Sequence, residues 1–193
     1  MFGSMLRRLM NPRAPTREAP LRLHIGGEIA HPEWKIFNIQ PGPVVDYAGH
    51  CADLSRFTDG SVSEIYASHV LEHLRFKDEL PAALREFYRV LHPGAMLRVS
   101  VPDLHTLCRL FLDPELSTLQ RFQVMQMMFG GQTNDADTHY VGLDENFLSG
   151  YLSDAGFTGI TRVDAFNLFD DTSAMHYKLP ISLNMTARKP AAA

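Results

Sequence analysis

Ser61-Val-Ser-Glu-Ile-Tyr-Ala-Ser-His-Val-Leu-Glu-His73 decides the fold, together with the residues that follow it to Asp103. Residues 63–68 are rich in strand formers and run into a polar corner at His69-Val-Leu-Glu72-His73. Leu80, Leu84, Phe87 and Leu91 then recur at helical spacing, and Pro93-Gly94 is expected to stop that helix. Met96 to Val101 reads as the next strand, with Leu97, Val99 and Val101 on one face and an exit at Pro102-Asp103. Strand, helix and strand in this order form a βαβ unit, which implies a parallel sheet whose ligand edge lies at the carboxyl ends of its strands.

Upstream, Leu21–Gly26 and Trp34–Gln40 read as two strands with only about seven residues between them. That is too short for the crossover helix of an ordinary parallel pair, so either the first helix is reduced to a turn or these two strands are not paired in the usual way. Val44–Cys51 is a weak third strand. Downstream, Leu104, Leu107, Cys108 and Phe111 mark one helix, and Phe122, Met125 and Phe129, with Val124 and Met128, mark another. Residues 130–139 form a polar loop. Asp144–Ala155 is a third helix with Phe147, Leu148, Tyr151 and Leu152 inward and Gly156 as its stop. A strand near Phe157–Phe166 follows. In the last strand Ile181, Leu183, Met185 and Ala187 alternate with Ser182, Asn184, Thr186 and Arg188, as in a one-sided antiparallel strand whose polar face meets water.

Composition bounds the function classes. A chain of 193 residues with 45% hydrophobic and 21% charged residues suits one globular domain with its own core. A net charge of −4, without basic runs, argues against nucleic acid as a partner. No apolar run approaches the roughly 20 residues of a membrane span. Cys51 and Cys108 lack metal-type spacing, which suits a soluble, reduced, cytoplasmic protein. Residues 1–20 carry four arginines against one glutamate and three prolines, and read as a basic, Pro-rich arm; 190–193 read as a tail.

The core resembles the class I S-adenosylmethionine-dependent methyltransferases, and within them the small type 11-like branch. Ala67-Ser-His-Val-Leu-Glu-His73, Asp53-Leu54 before Phe57, Val90-Leu-His-Pro-Gly94, Val99-Ser-Val-Pro-Asp103, Gly130-Gly-Gln132 and Ala155-Gly-Phe157 fall in that family's order. The likeness runs from about Leu21 to Lys189, a single domain with a helical insertion at about 103–156. It implies an α/β, Rossmann-like three-layer sandwich, mostly parallel, with an antiparallel last strand and a reduced first crossover helix.

The resemblance also implies a cofactor, S-adenosylmethionine, with S-adenosylhomocysteine as product. Its cradle would comprise Gly26, Gly27 and Glu28 after the first strand, Gln40 after the second and Asp53-Leu54 after the third. Asp53 would accept a hydrogen bond from the adenine amine, while Ser68 and His69 would border the methyl group. The motif is degenerate: His24 stands where an acid is common, Glu28 where a second glycine is expected, and Gln40 in place of the ribose-binding acid. A carboxylate at Glu28 offers the ribose or ammonium group what Gln40 lacks. Asp53 equally suits a turn cap before Ser55.

For chemistry, His139 in the polar loop and His69 are the candidate catalytic groups, because imidazole titrates near neutrality. His105 and His176 are secondary candidates among nine histidines. Asp135 and Asp137 in the same loop offer oxygen to a hard cation, but paired loop acids are usually solvated. Met125, Met127 and Met128 suit a helix core or an adaptable apolar pocket. His69-x-x-Glu72-His73 also matches an inverted zinc-protease signature. Here the first histidine ends a strand and no downstream glutamate completes the set, so no metal is expected and the corner is read as internal capping or pairing.

The expected function is methyl transfer to a small-molecule or glycan-type acceptor. The alternatives are a catalytically silent methyltransferase-like binding or assembly protein and a metal-dependent hydrolase. The last strand and the helical insertion are the surfaces on which copies could pair into a homo-oligomer.

Overall fold

The computed structural model describes residues 20–192; all of the basic arm but Pro20 lies outside the described residues. In chain order the strands are β1 (Leu21–Ile25), β2 (Lys35–Asn38), β3 (Tyr47–Ala48), β4 (Val62–Ser68), β5 (Leu91–Pro102), β6 (Thr158–Val163), β7 (His176–Tyr177), β8 (Leu179–Pro180) and β9 (Ser182–Arg188). The helices are α1 (Glu79–Val90), α2 (Leu104–Phe111), α3 (Thr118–Phe129) and α4 (Glu145–Asp154). Seven strands form one sheet in the order β3-β2-β1-β4-β5-β9-β6, with β7 and β8 a separate short hairpin. Every sheet pair is parallel except the two made by β9. The expected Rossmann-like topology is present. The chain leaves β1 toward β2 and later crosses to β4, so the order switches between β1 and β4, where a crevice opens at their carboxyl ends.

The β4-α1-β5 unit forms as its periodicity requires. Asp78 caps α1 by accepting a hydrogen bond from the Glu79 backbone N–H, and Leu80, Ala83, Leu84, Phe87 and Val90 are buried against the sheet. The helix ends earlier than Pro93-Gly94. Leu91 is already extended and pairs with Val62, while Met96 pairs with Glu64, so residues 92–95 bulge from β5 with Gly94 at φ +83°. Burying Leu91 in the sheet fixes this boundary, and the Pro-Gly pair shapes the bulge instead.

No helix separates β1 from β2. Their connection is a turn closed by a bridge between His31 and Trp34, as the short spacing requires. α1 and α4 cover one sheet face. Leu23, Ile25, Ile65, Ala67, Leu97, Val99, Leu183 and Met185 join them in the main core. A second core holds Leu107, Leu110, Leu116, Val124 and Ile181, with Met127 and Met128 against it.

Two inward faces differ from expectation. On α3, Val124 is buried while Phe122 and Phe129 are 52% and 53% exposed; on α4, Leu148 and Leu152 are buried but Phe147 is exposed. In α3 two apolar stripes compete, and the shallow second core accepts only the one carrying Val124. β9 differs too. Its polar face is covered, because Asn184 Nδ2 donates to the carbonyls of Asp164 (3.1 Å) and Ser173 (3.0 Å). Residues 164–174 therefore take the place of water on that face, and Ser182 and Asn184 are buried beneath them.

Candidate functional site

The exit of β1 makes a sharp turn. Gly26 adopts φ +77°, its N–H donates to the Phe37 carbonyl at 2.8 Å, and a Cβ there would lie 2.2 Å from Val70 Cγ2. A Cβ on Gly27 would lie 2.6 Å from the His24 ring. Both glycines are thus required by the close approach of the β1 exit to the β4 exit and to His24. The His24 ring lies against the turn, packed between Tyr66 and Phe169 with ring centroids 4.8 and 4.2 Å away. Burial lowers its pKa to about 4, against a weaker opposing pull from Asp171, so the ring is a neutral packing element.

This turn opens onto a cleft of about 610 Å³ at the switch point, within the range of small-molecule sites. Gly26, Gly27, Glu28, Gln40 and His69 line it, as do Asn38, Cys51, His73, Asp135, Asp137 and Tyr140. Burial pushes the Cys51 thiol up to about 12, which leaves it unreactive.

Four expected residues do not line the cleft: the candidate base His139, and three of the expected cofactor and methyl neighbours. Asp53 is exposed and outside the lining; its carboxylate accepts from the Ser55 N–H at 3.0 Å, the turn-capping role. Leu54 is fully buried in the main core, and Ser68 is buried beside the cleft without lining it. The connection after β3 carries Leu54 inward, which turns its neighbour Asp53 out. Asn38, not expected from sequence, takes a central place. Its Nδ2 donates to the Gly27 carbonyl at 3.2 Å and its Oδ1 accepts from the Gln40 N–H at 3.0 Å, so one amide ties the β1 and β2 exits together. Its position as the last residue of β2 was the available signal.

The polar corner after β4 folds around Glu72. His69 has φ +52°, in the left-handed region, and its Nε2 lies 3.0 Å from Ser182 Oγ, which donates its own proton to the Thr172 carbonyl at 2.7 Å. His69 Nδ1 lies 3.3 Å from Glu72 Oε1. Glu72 is 2% exposed, and neither carboxylate oxygen has a hydrogen-bond partner within the described residues. Its backbone carbonyl accepts from the Tyr140 N–H at 2.8 Å, which draws the polar loop over the corner. That loop brings His139 against His73, their rings edge to face at 4.7 Å.

One ligand atom from each of Glu72, His73 and His139 lies within 4.8 Å of the others. Burial alone would raise the Glu72 carboxyl, but the His69, His73 and His139 rings outweigh it and hold it below the usual range. Burial lowers His139, with Glu72 opposing. Asp137 is the loop's organiser, accepting from Thr133 Oγ1 at 2.7 Å and from the N–H groups of Thr133 and Gly131. His105 and His176 are exposed and outside the cleft.

Comparison with known proteins agrees with this geometry. Residues 32–99 match the family model described as methyltransferase domain. No curated protein matches the sequence. A S-adenosylmethionine-dependent methyltransferase from Archaeoglobus fulgidus superposes with a TM-score of 0.56 at 16% identity, covering 89% of this chain and 87% of that one. A possible exported protein from Bordetella parapertussis gives 0.54 at 14% identity, covering 89% and 62%. Human N-acetylserotonin methyltransferase, solved with S-adenosylmethionine, gives 0.51 at 16% identity, covering 89% and 48%. The chain therefore spans 62% and 48% of the length of the last two. The strand order, the antiparallel β9 and the matched segment together make this chain a protein of the class I S-adenosylmethionine-dependent methyltransferase fold.

Proposed function

We propose that the chain transfers a methyl group from S-adenosylmethionine to a small-molecule or glycan-type acceptor. The observation that carries this reading is the Gly26-Gly27 turn, free of side chains and lining a cleft of about 610 Å³ at the switch point of the sheet. Bound there, S-adenosylmethionine supplies an electrophilic methyl group on a sulfonium. Gly26 and Gly27 admit the ligand to the backbone, while Glu28, Asn38 and Gln40 offer polar groups for its diol and ammonium ends. His69 and His73 line the cleft and His139 packs against His73, so the two imidazoles expected as bases, His69 and His139, stand at the cleft and next to it. Alignment of acceptor and methyl group contributes most of the rate of such an in-line displacement, and a base matters where the acceptor must lose a proton.

A second reading, a catalytically silent binding or assembly protein, is favoured by the neutral amides Asn38 and Gln40 where a ribose-binding carboxylate is expected. Calorimetric titration with S-adenosylmethionine and S-adenosylhomocysteine separates the two. Micromolar binding supports methyl transfer, and binding of neither ligand supports the silent protein. The Asp53→Ala variant is expected to bind within about twofold of the parent, since it loses only a turn cap; a tenfold loss would put Asp53 back at the adenine.

A further inference from the structure

We propose that Glu72, His73 and His139 form a binding site for a first-row divalent metal ion, zinc or manganese before calcium, at the acceptor side of the cleft. Two imidazoles and one carboxylate leave coordination positions open, the donor set of a working rather than a structural metal centre. One atom from each residue already lies within 4.8 Å of the others. Tetrahedral ligands sit roughly 3.3–3.6 Å apart, so closure needs side-chain rotation of about 1 Å.

Two independent observations point to a cation. Glu72 is 2% exposed and both its oxygens lack a hydrogen-bond donor among the described residues, a costly state for a carboxylate without a positive partner. Its neighbour His69 does not fill that need as a neutral ring. The Ser182 hydroxyl spends its only proton on the Thr172 carbonyl, so His69 Nε2 must donate to Ser182 and Nδ1 turns a lone pair toward Glu72. The corner therefore calls for one more positive partner, either a proton shared between the carboxyl and that ring or a metal ion held by the carboxylate. Secondly, His73 Nδ1 is held by the Thr138 carbonyl at 3.2 Å, and the His139 ring stands edge to face against it at 4.7 Å. One nitrogen anchored on a backbone carbonyl, with the other left for the ion, is the usual outer arrangement of metal-binding histidines.

The ligand set differs from the protease-like motif read in the sequence. His139 arrives from the distant loop, and His69 supports Glu72 from behind. His73 lines the cleft while Glu72 and His139 lie behind its wall, so an ion held here would reach the cleft on the His73 side, where an open position suits an oxygen donor such as a hydroxyl. This role for the ion rests on the methyl-transfer reading; the site itself does not. With the ion bound, His139 is a ligand and not a base, and both nitrogens of His69 are engaged, by Ser182 and by Glu72.

The test uses the whole untagged chain, stripped with chelator and titrated with zinc and with manganese, with cobalt(II) as the spectroscopic probe. One equivalent per chain and visible cobalt ligand-field bands are expected. The His139→Ala variant, shown folded by circular dichroism, should bind at least about 100-fold more weakly, beyond the roughly 10–100-fold cost of losing an outer partner. Should that variant fail to fold, His73→Ala serves the same purpose, and the cobalt spectrum of the parent needs no variant. Uptake below a tenth of an equivalent, or undiminished affinity in a folded variant, overturns the site and leaves a proton alone in the corner. S-adenosylmethionine titrated into the same samples keeps the readings apart. Metal uptake without cofactor binding sinks only the methyl-transfer reading, whereas cofactor binding without metal uptake sinks only the metal site.

Discussion

At Gly26 two costs coincide, because a side chain would need both φ +77° and space already held by Val70 Cγ2 at 2.2 Å. Gly26→Ala is expected to destabilise the fold by about 2–5 kcal/mol, the sum of left-handed backbone strain and overpacking. Gly94→Ala at φ +83°, with nothing within 4 Å, should cost only the strain, about 1–2 kcal/mol. Urea unfolding of both variants checks the contrast. His24 sets a pH dependence. Its pKa is about 4 when folded, against 6.5 for the free ring, so between these values the unfolded chain binds more protons. The stability due to a neutral His24 is complete above about pH 6.5 and falls away as the pH drops toward 4. From pH 7.5 to pH 5 about 2 kcal/mol should be lost through this residue. His24→Gln should flatten that part of the urea-midpoint profile; an unchanged slope would show that His24 is hydrated or charged in the folded state.

Among the elements, α3 shows how a helix chooses its face. Ser117 and Gln120 form a reciprocal capping box that starts it, and Val124 alone in the helix is fully buried, while Phe122 and Phe129 remain half exposed. Val124→Ala should cost about 2 kcal/mol through lost burial and the cavity left behind. Phe122→Ser should change stability by no more than about 0.5 kcal/mol, as an exposed substitution does. Equal effects in denaturant melts would mean that Phe122 packs against something. The helical period was legible from sequence, but the residues carry two overlapping apolar stripes, and only the shape of the second core selects one. For β9 the alternation correctly marked the strand. Ser182 and Asn184 are nonetheless buried, because backbone carbonyls of residues 164–174 accept their side-chain O–H and N–H protons.

For the whole molecule, the site is a seam between separate parts of the chain: the β1 exit, the β2 exit, the β4 corner and the loop before α4. A ligand bound across that seam stabilises the folded state by mass action. S-adenosylmethionine at 100 times its dissociation constant should add about 2.7 kcal/mol, raising the melting temperature by roughly 5–11 °C in a protein of this size. No shift at saturating ligand would count against cofactor binding in the cleft. Among the described residues no helix is long and apolar enough to cross a membrane.

The sequence by itself determined the order of elements, the βαβ unit at residues 61–103 and a β1–β2 connection too short for an ordinary crossover helix. Each of these rests on local periodicity or on the reach of a short chain segment. The same local reading proposed Asp53 as a cofactor ligand, because spacing along the chain says which strand a residue follows but not whether its side chain turns inward. Tertiary structure decided that Asp53 faces solvent, that Asn38 joins two strand exits, and that His139 meets Glu72 and His73. These are contacts across the fold. They depend on which loop closes over which corner, set by pairings such as the Tyr140 N–H on the Glu72 carbonyl that no residue spacing encodes.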